Sequence, residues 1–144
     1  MVMLEGVSLT PLNKIPNEKG DIFHALKSTD ETYISFGEAY FSNVNYGAIK
    51  GWKKHTRMVL NLVVPVGQIK FVLYDDREFS TTFKQFWDVE IGEANYQRLS
   101  VPPGIFMSFQ GIGLYRNMLL NIASIPHDPT ESVNKQLPEI SYSW

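Results

Sequence analysis

Lys50, Lys53, His55 and Arg57 stand close together in a chain with three histidines and no cysteine, and their types and spacing are the ones that could do chemistry. An imidazole takes and returns protons near neutral pH, and a nearby ammonium can stabilise the negative charge that proton removal creates. Read as a strand, Ala48 to Arg57 puts Gly51, Lys53, His55 and Arg57 on one face and Lys50, Trp52, Lys54 and Thr56 on the other. Neither face is plainly apolar. Ordinary core does not look like this; a strand with one face on a wet cavity and the other on solvent or a partner subunit does. Lys53 and His55 would have Cα atoms about 6 to 7 Å apart. At that range an ammonium acts on an imidazolium with about 3 kcal/mol at an effective dielectric near 20, which favours a neutral, proton-accepting ring. The alternative is a lysine that reaches out of the cavity mouth and a structural His55 satisfied by backbone.

The elements that must position these residues are short and extended. Val59 to Val64 and Gln68 to Tyr74 are apolar runs separated by Pro65-Val66-Gly67, which reads as a hairpin. Tyr33 to Ser42 alternates aromatics with small or polar residues and carries Glu38 on a face with Phe36, Tyr40 and Ser42, with Gly37 as a bulge. Phe86 to Ile91, Gln97 to Val101, the run IFMSFQGI after Pro102-Pro103-Gly104, and a stretch within Leu114 to Ile125 read as further strands. Residues 1–20, broken by Pro11, Pro16 and Gly20, read as an extended arm or edge strand, expected to pack on a partner copy. Only the tail beyond Asp128 suggests helix, and it reads as a short helical or irregular segment. Short strands at short spacing predict an all-β sandwich or barrel, in a single domain spanning 1–144.

Composition narrows the function classes. The absence of cysteine removes disulfides, thiol nucleophiles and Cys-type zinc sites, and fits a reducing compartment. A formal net charge of -2 argues against nucleic acid as a partner, although a local basic patch could still hold a small phosphate ligand. No apolar run approaches the roughly 18 residues of a membrane span, and MVMLEGVSLTP does not read as a signal peptide; the expectation is a soluble cytoplasmic protein. His24 and His127 are scattered away from His55, so no metal and no cofactor is expected. Tyr115-Arg116, beside Gly113, could reach a ligand from a loop.

Beyond these residue-level readings, the chain resembles the cupin superfamily of nucleotide-sugar enzymes, specifically dTDP-4-dehydrorhamnose 3,5-epimerase. The resemblance rests on Ser42 and Gly47 leading into Ile49-Lys50-Gly51, the Val66-Gly67 turn, Asp75 and Arg77, Asn95 with Leu99, Val101-Pro102, Gly104, Phe109, and Asp128-Pro129 with Glu131. It implies a cupin jelly-roll (double-stranded β-helix) barrel, a homodimer, an active site inside the barrel and no metal. It also implies proton transfer next to the keto group of a nucleoside-diphosphate sugar, in deoxysugar or surface-polysaccharide biosynthesis.

The family's Arg-Gly-x-His segment aligns with Lys50, Gly51, Trp52 and Lys53, so a lysine stands where the family has its base. Leu60, Asn121 and Met107 replace a lysine, a tyrosine and a second histidine, and the acid that orients the base aligns with Lys135. Against the related ketoisomerases, whose strand reads Arg-Gly-x-His-x-His, Lys53 takes the first histidine position and His55 keeps the second. The resemblance implies catalysis by His55 and Lys53. Lys50 would bind pyrophosphate, with Lys19, Arg57, Glu38, Asn121, Tyr115 and Arg116 as further substrate contacts. A sugar-binding or regulatory cupin without catalysis is the competing class.

Overall fold

The computed structural model describes residues 1–144. Its strands are β1 (Ser8–Pro11), β2 (Lys14–Ile15), β3 (Ile22–Phe23), β4 (Glu38–Asn43), β5 (Ile49–His55), β6 (Leu60–Val66), β7 (Gln68–Asp75), β8 (Phe86–Gly92), β9 (Gln97–Val101), β10 (Ile105–Gly111), β11 (Met118–Ala123) and β12 (Ser132–Asn134). A single turn of 3-10 helix, η1 (Leu137–Glu139), follows. Two five-stranded antiparallel sheets, ordered β1-β9-β6-β11-β4 and β12-β5-β10-β7-β8, enclose the core, and β2 pairs β3 outside them. From β4 onward the chain crosses between the sheets at almost every step, which is the winding of a cupin jelly roll.

Period-two patterning builds the core. Leu60, Leu62 and Val64 of β6, Ile69, Phe71 and Leu73 of β7, and Leu99 and Val101 of β9 meet in one buried cluster. The alternation fails at Val72, which is equally buried although it points the other way. A second cluster of Trp52, Val72, Phe106 and Ile140 explains it: Leu137, Ile140 and Tyr142 of the C-terminal tail cover the outer face of this sheet. A sheet buried on both faces needs apolar residues on both.

Several expectations from the sequence are corrected here. The Pro65-Val66-Gly67 turn is present, but β6 and β7 belong to different sheets, so it is a corner and not a hairpin. Gly67 makes the corner with φ +78°, where a Cβ would lie 2.0 Å from the Arg116 carbonyl oxygen. Strand β4 begins only at Glu38, and Gly37 is not a bulge; it packs so closely on Ile125 that a Cβ would come 2.0 Å from its carbonyl carbon. The edge-strand reading of the N-terminal segment stands: β1 is an edge strand on β9, and Leu4 and Val7 are buried in the core. The tail is mostly irregular with one helical turn, as one of the two readings had it, but β12 within it extends the second sheet beside β5.

Candidate functional site

The site begins with an irregularity in β5. Lys53 pairs with Met107 and Lys50 with Phe109, so Ser108 alone faces Gly51 and Trp52 and the register shifts by one residue. Gly51 sits at φ +131° and approaches Ser108 so closely that a Cβ would lie 2.7 Å from its Cα. This bulge corrects the strict alternation read from the sequence. Lys50 joins Lys53 and His55 on the cavity face, while Trp52 and Lys54 turn outward. At Trp52 the outward face meets the tail and not solvent: Trp52 is 1% exposed, and its indole N–H donates to the Leu137 carbonyl at 3.2 Å.

His55 is held by a carboxylate from far along the chain. Its Nδ1 lies 2.6 Å from Oε1 of Glu131, which is itself 2% exposed. The other oxygen, Oε2, accepts the backbone N–H groups of Arg57 at 2.9 Å and Met58 at 2.8 Å. Burial pushes the Glu131 carboxyl up, but the His55 hydrogen bond and the two amides outweigh it and hold the group below the usual carboxylate range. An ionised Glu131 can only accept, so Nδ1 carries the hydrogen and Nε2 is left as a proton acceptor. The arrangement follows from β12, whose Ser132 pairs with His55 and so places Glu131 beside the ring. The sequence placed Lys53 alone beside the imidazole; the structure adds a carboxylate in direct contact, whose charge acts on an imidazolium with the opposite sign.

Lys50, Lys53, His55 and Asn121 all line one cavity of about 410 Å³, together with Tyr40, Ser42, Leu60, Met107, Phe109, Leu119 and the stretch Asn134 to Gln136. No carboxylate lines it. Lys50 Nζ reaches across to β4, donating to the Asn43 carbonyl at 2.7 Å and to Ser42 Oγ at 3.2 Å. Lys53 has no ion pair, and the Lys135 ammonium lies over the Phe106 ring. Lys135 is thus not the acid that orients the base; Glu131, four residues earlier, stands there.

The remaining residues singled out in the sequence lie elsewhere. Arg57 is paired with Asp128 at the surface at 2.9 Å, Lys19 is in an exposed turn, and Tyr115 and Arg116 are exposed on a loop. Glu38 does not line the cavity, although its charge acts on Tyr40. Glu131 and Tyr40 were not read as site residues. The first had a signal, since Asp128-Pro129 with Glu131 belongs to the resemblance; the second was hidden among aromatics. No group of three or more His, Cys, Asp or Glu side chains gathers to hold a metal ion.

No family model matches the chain. Among solved structures, a dTDP sugar isomerase from Desulfovibrio desulfuricans G20 superposes with a TM-score of 0.94 at 37% identity, over 100% of this chain and 95% of that one. Among curated proteins, the probable low-salt glycan biosynthesis epimerase Agl13 of Haloferax volcanii is 27% identical over 96% of this chain and 90% of its own length. The spore coat polysaccharide biosynthesis protein SpsL of Bacillus subtilis is 25% identical over 99% of this chain and 97% of its own. On the 37% identity of the Desulfovibrio dTDP sugar isomerase over all of this chain and 95% of its own, the chain belongs to the dTDP-4-dehydrorhamnose 3,5-epimerase-like family of nucleotide-sugar isomerases and epimerases.

Proposed function

We propose that the protein is a nucleotide-sugar epimerase or keto-isomerase of deoxysugar or surface-polysaccharide biosynthesis, transferring a proton next to the sugar's keto group. The His55–Glu131 pair facing a carboxylate-free, lysine-lined cavity carries this reading. A cavity of about 410 Å³ is of the size that holds a small ligand. Its ammonium groups favour an anion, as a nucleoside diphosphate is, and deoxythymidine diphosphate is the nucleotide of the Desulfovibrio relative. His55 Nε2 removes the proton, Glu131 holds the ring and stabilises the imidazolium that forms, and Lys53 stabilises the enolate oxygen. Lys50, fixed to β4 with one N–H to spare, meets the diphosphate.

Incubation with a dTDP-linked keto sugar in deuterated water tests this. The wild type incorporates deuterium at the carbon beside the ketone, and His55→Asn does so at least about 100-fold more slowly while still binding the nucleotide. Binding by the wild type with no isotope uptake would favour the sugar-binding alternative.

The reading includes a cytoplasmic homodimer. The lack of cysteine supports a reducing compartment, and no helix is long and apolar enough to cross a membrane. For the dimer, β4 is the open edge of its sheet; it carries exposed Phe41 and is preceded by exposed Ile34 and Phe36, which a second copy would cover. Phe41→Glu should halve the mass in solution; a monomeric wild type would sink this.

A further inference from the structure

Every polar atom of Glu131 has a partner. Its carboxylate meets His55 and the amides of Arg57 and Met58, and its backbone N–H donates to the Asp128 carbonyl at 3.1 Å. Its carbonyl accepts two hydrogen bonds from one residue, the Thr56 N–H at 3.0 Å and the Thr56 hydroxyl at 2.6 Å. Thr56 follows His55 directly in the chain, so the residue after the base holds the backbone of the acid.

This anchor lies where strand pairing alone holds Glu131 loosely. β12 is a three-residue strand at the edge of its sheet, and Glu131 stands just outside it, beyond the Ser132–His55 pair. Short edge segments open readily. The Arg57–Asp128 ion pair on the same turn is exposed to solvent and adds little. A carbonyl held by one N–H can still rock about that bond, and a second donor on its other lone pair removes the freedom. Branching at Cβ leaves the Thr56 hydroxyl few rotamers in which to stray.

We infer that Thr56 is a positioning residue for the proton transfer: acting through the Glu131 backbone, its hydroxyl fixes how the carboxylate meets the His55 ring. Thr56 does not itself line the cavity. With the carboxylate in place, Nδ1 keeps the hydrogen and Nε2 is the acceptor; a Glu131 free to swing leaves the neutral ring to share its hydrogen between the two nitrogens. The consequence for rate rests on the epimerase reading above, whereas the consequence for the ring does not.

Thr56→Val removes the hydroxyl and keeps the shape of the side chain, at an otherwise exposed position. In nitrogen NMR of the substrate-free protein, at a pH where the ring is neutral, His55 of the wild type should carry its hydrogen on Nδ1 and the variant should show both tautomers. Deuterium exchange with a dTDP-linked keto sugar should slow about 10-fold with nucleotide affinity unchanged, and Thr56→Ser should restore both spectrum and rate. In a Glu131→Gln background, adding Thr56→Val should cost less than about twofold, since the charge it positions is gone. A wild-type ring spectrum in Thr56→Val would overturn the inference, as would a loss of rate that persists in full with Glu131→Gln. A lower unfolding temperature with unchanged exchange per folded molecule would overturn it in favour of a purely structural role. A wild type that exchanges nothing, with the ring spectra as expected, would instead bring down the epimerase reading and leave the positioning of the imidazole standing.

Discussion

Two buried carboxylates, Asp75 at 0% exposure and Glu131 at 2%, solve the same problem with opposite results. Asp75 ends β7 and is saturated. It accepts from Arg77 Nε at 2.8 Å, from Ser80 Oγ at 2.6 Å and from Thr82 Oγ1 at 2.6 Å. Arg77 in turn donates to the Glu5 carbonyl, so the cluster clasps the N-terminal segment to the β7–β8 connection. Burial pushes the Asp75 carboxyl up, and these donors drive it far below the usual range. Glu131 is equally satisfied, but one of its donors is an imidazole whose second nitrogen is free. A guanidinium cannot give up its proton at any ordinary pH; an imidazole can. The difference between a structural clasp and a working base therefore lies in the partner, and burial and hydrogen bonding do not distinguish them.

Exchanging the charge at each site should break the symmetry. Glu131→Gln retains a group of the same size but removes the charge that stabilises the imidazolium, and deuterium exchange should slow by about 10²- to 10⁴-fold with nucleotide affinity kept. Asp75→Asn leaves Arg77 without its counter-charge and should cost about 3 kcal/mol, read from denaturant unfolding, with exchange per folded molecule within about twofold of wild type. If Asp75→Asn slowed exchange as much as Glu131→Gln, the division into clasp and base would fail.

Acid sharpens the comparison. Both carboxyls lie below their ordinary values in the folded state, so their contribution is complete above about pH 4 and is lost as the pH falls through the folded values. Asp75, displaced further, should account for most of the slope, and the Asp75→Asn protein should show a flatter acid limb. The smallest effect belongs to Tyr142, which donates to Asp88 at 2.7 Å and is pushed up to about 12 by burial and that partner. Its contribution is present below about pH 10 and lost as the pH rises through about 12. Tyr142→Phe should remove this alkaline limb for about 1 kcal/mol at neutral pH.

Much of this was legible in the residues, and what was not has physical causes. The strands around Leu62, Phe71 and Leu99 announce themselves because each buries alternate residues in one core. Which sheet a strand joins is set by long-range pairing, so a corner such as Gly67 looks like a hairpin turn in the sequence. Lys50 was placed on the wrong face because a period of two cannot foresee a bulge, although Gly51 between basic residues was its local trace. Glu131 and His55 are separated by 76 positions and meet only through β12, a strand of three residues with no pattern of its own. The aromatics of β4 gave no cue that Tyr40 faces inward while Phe41 faces out.

That long separation has a bearing on biogenesis. A ribosome completes β5 well before it reaches residue 131, so the nascent barrel carries its imidazole without the carboxylate that aims it. Only when β12 has zipped onto β5, with Trp52 N–H bonded to the Lys135 carbonyl and Lys135 N–H to the Trp52 carbonyl, both at 3.0 Å, is the proton acceptor armed. The pairing that completes the second sheet is thus the same event that aims the imidazole, so assembly of the fold and arming of the site are one step.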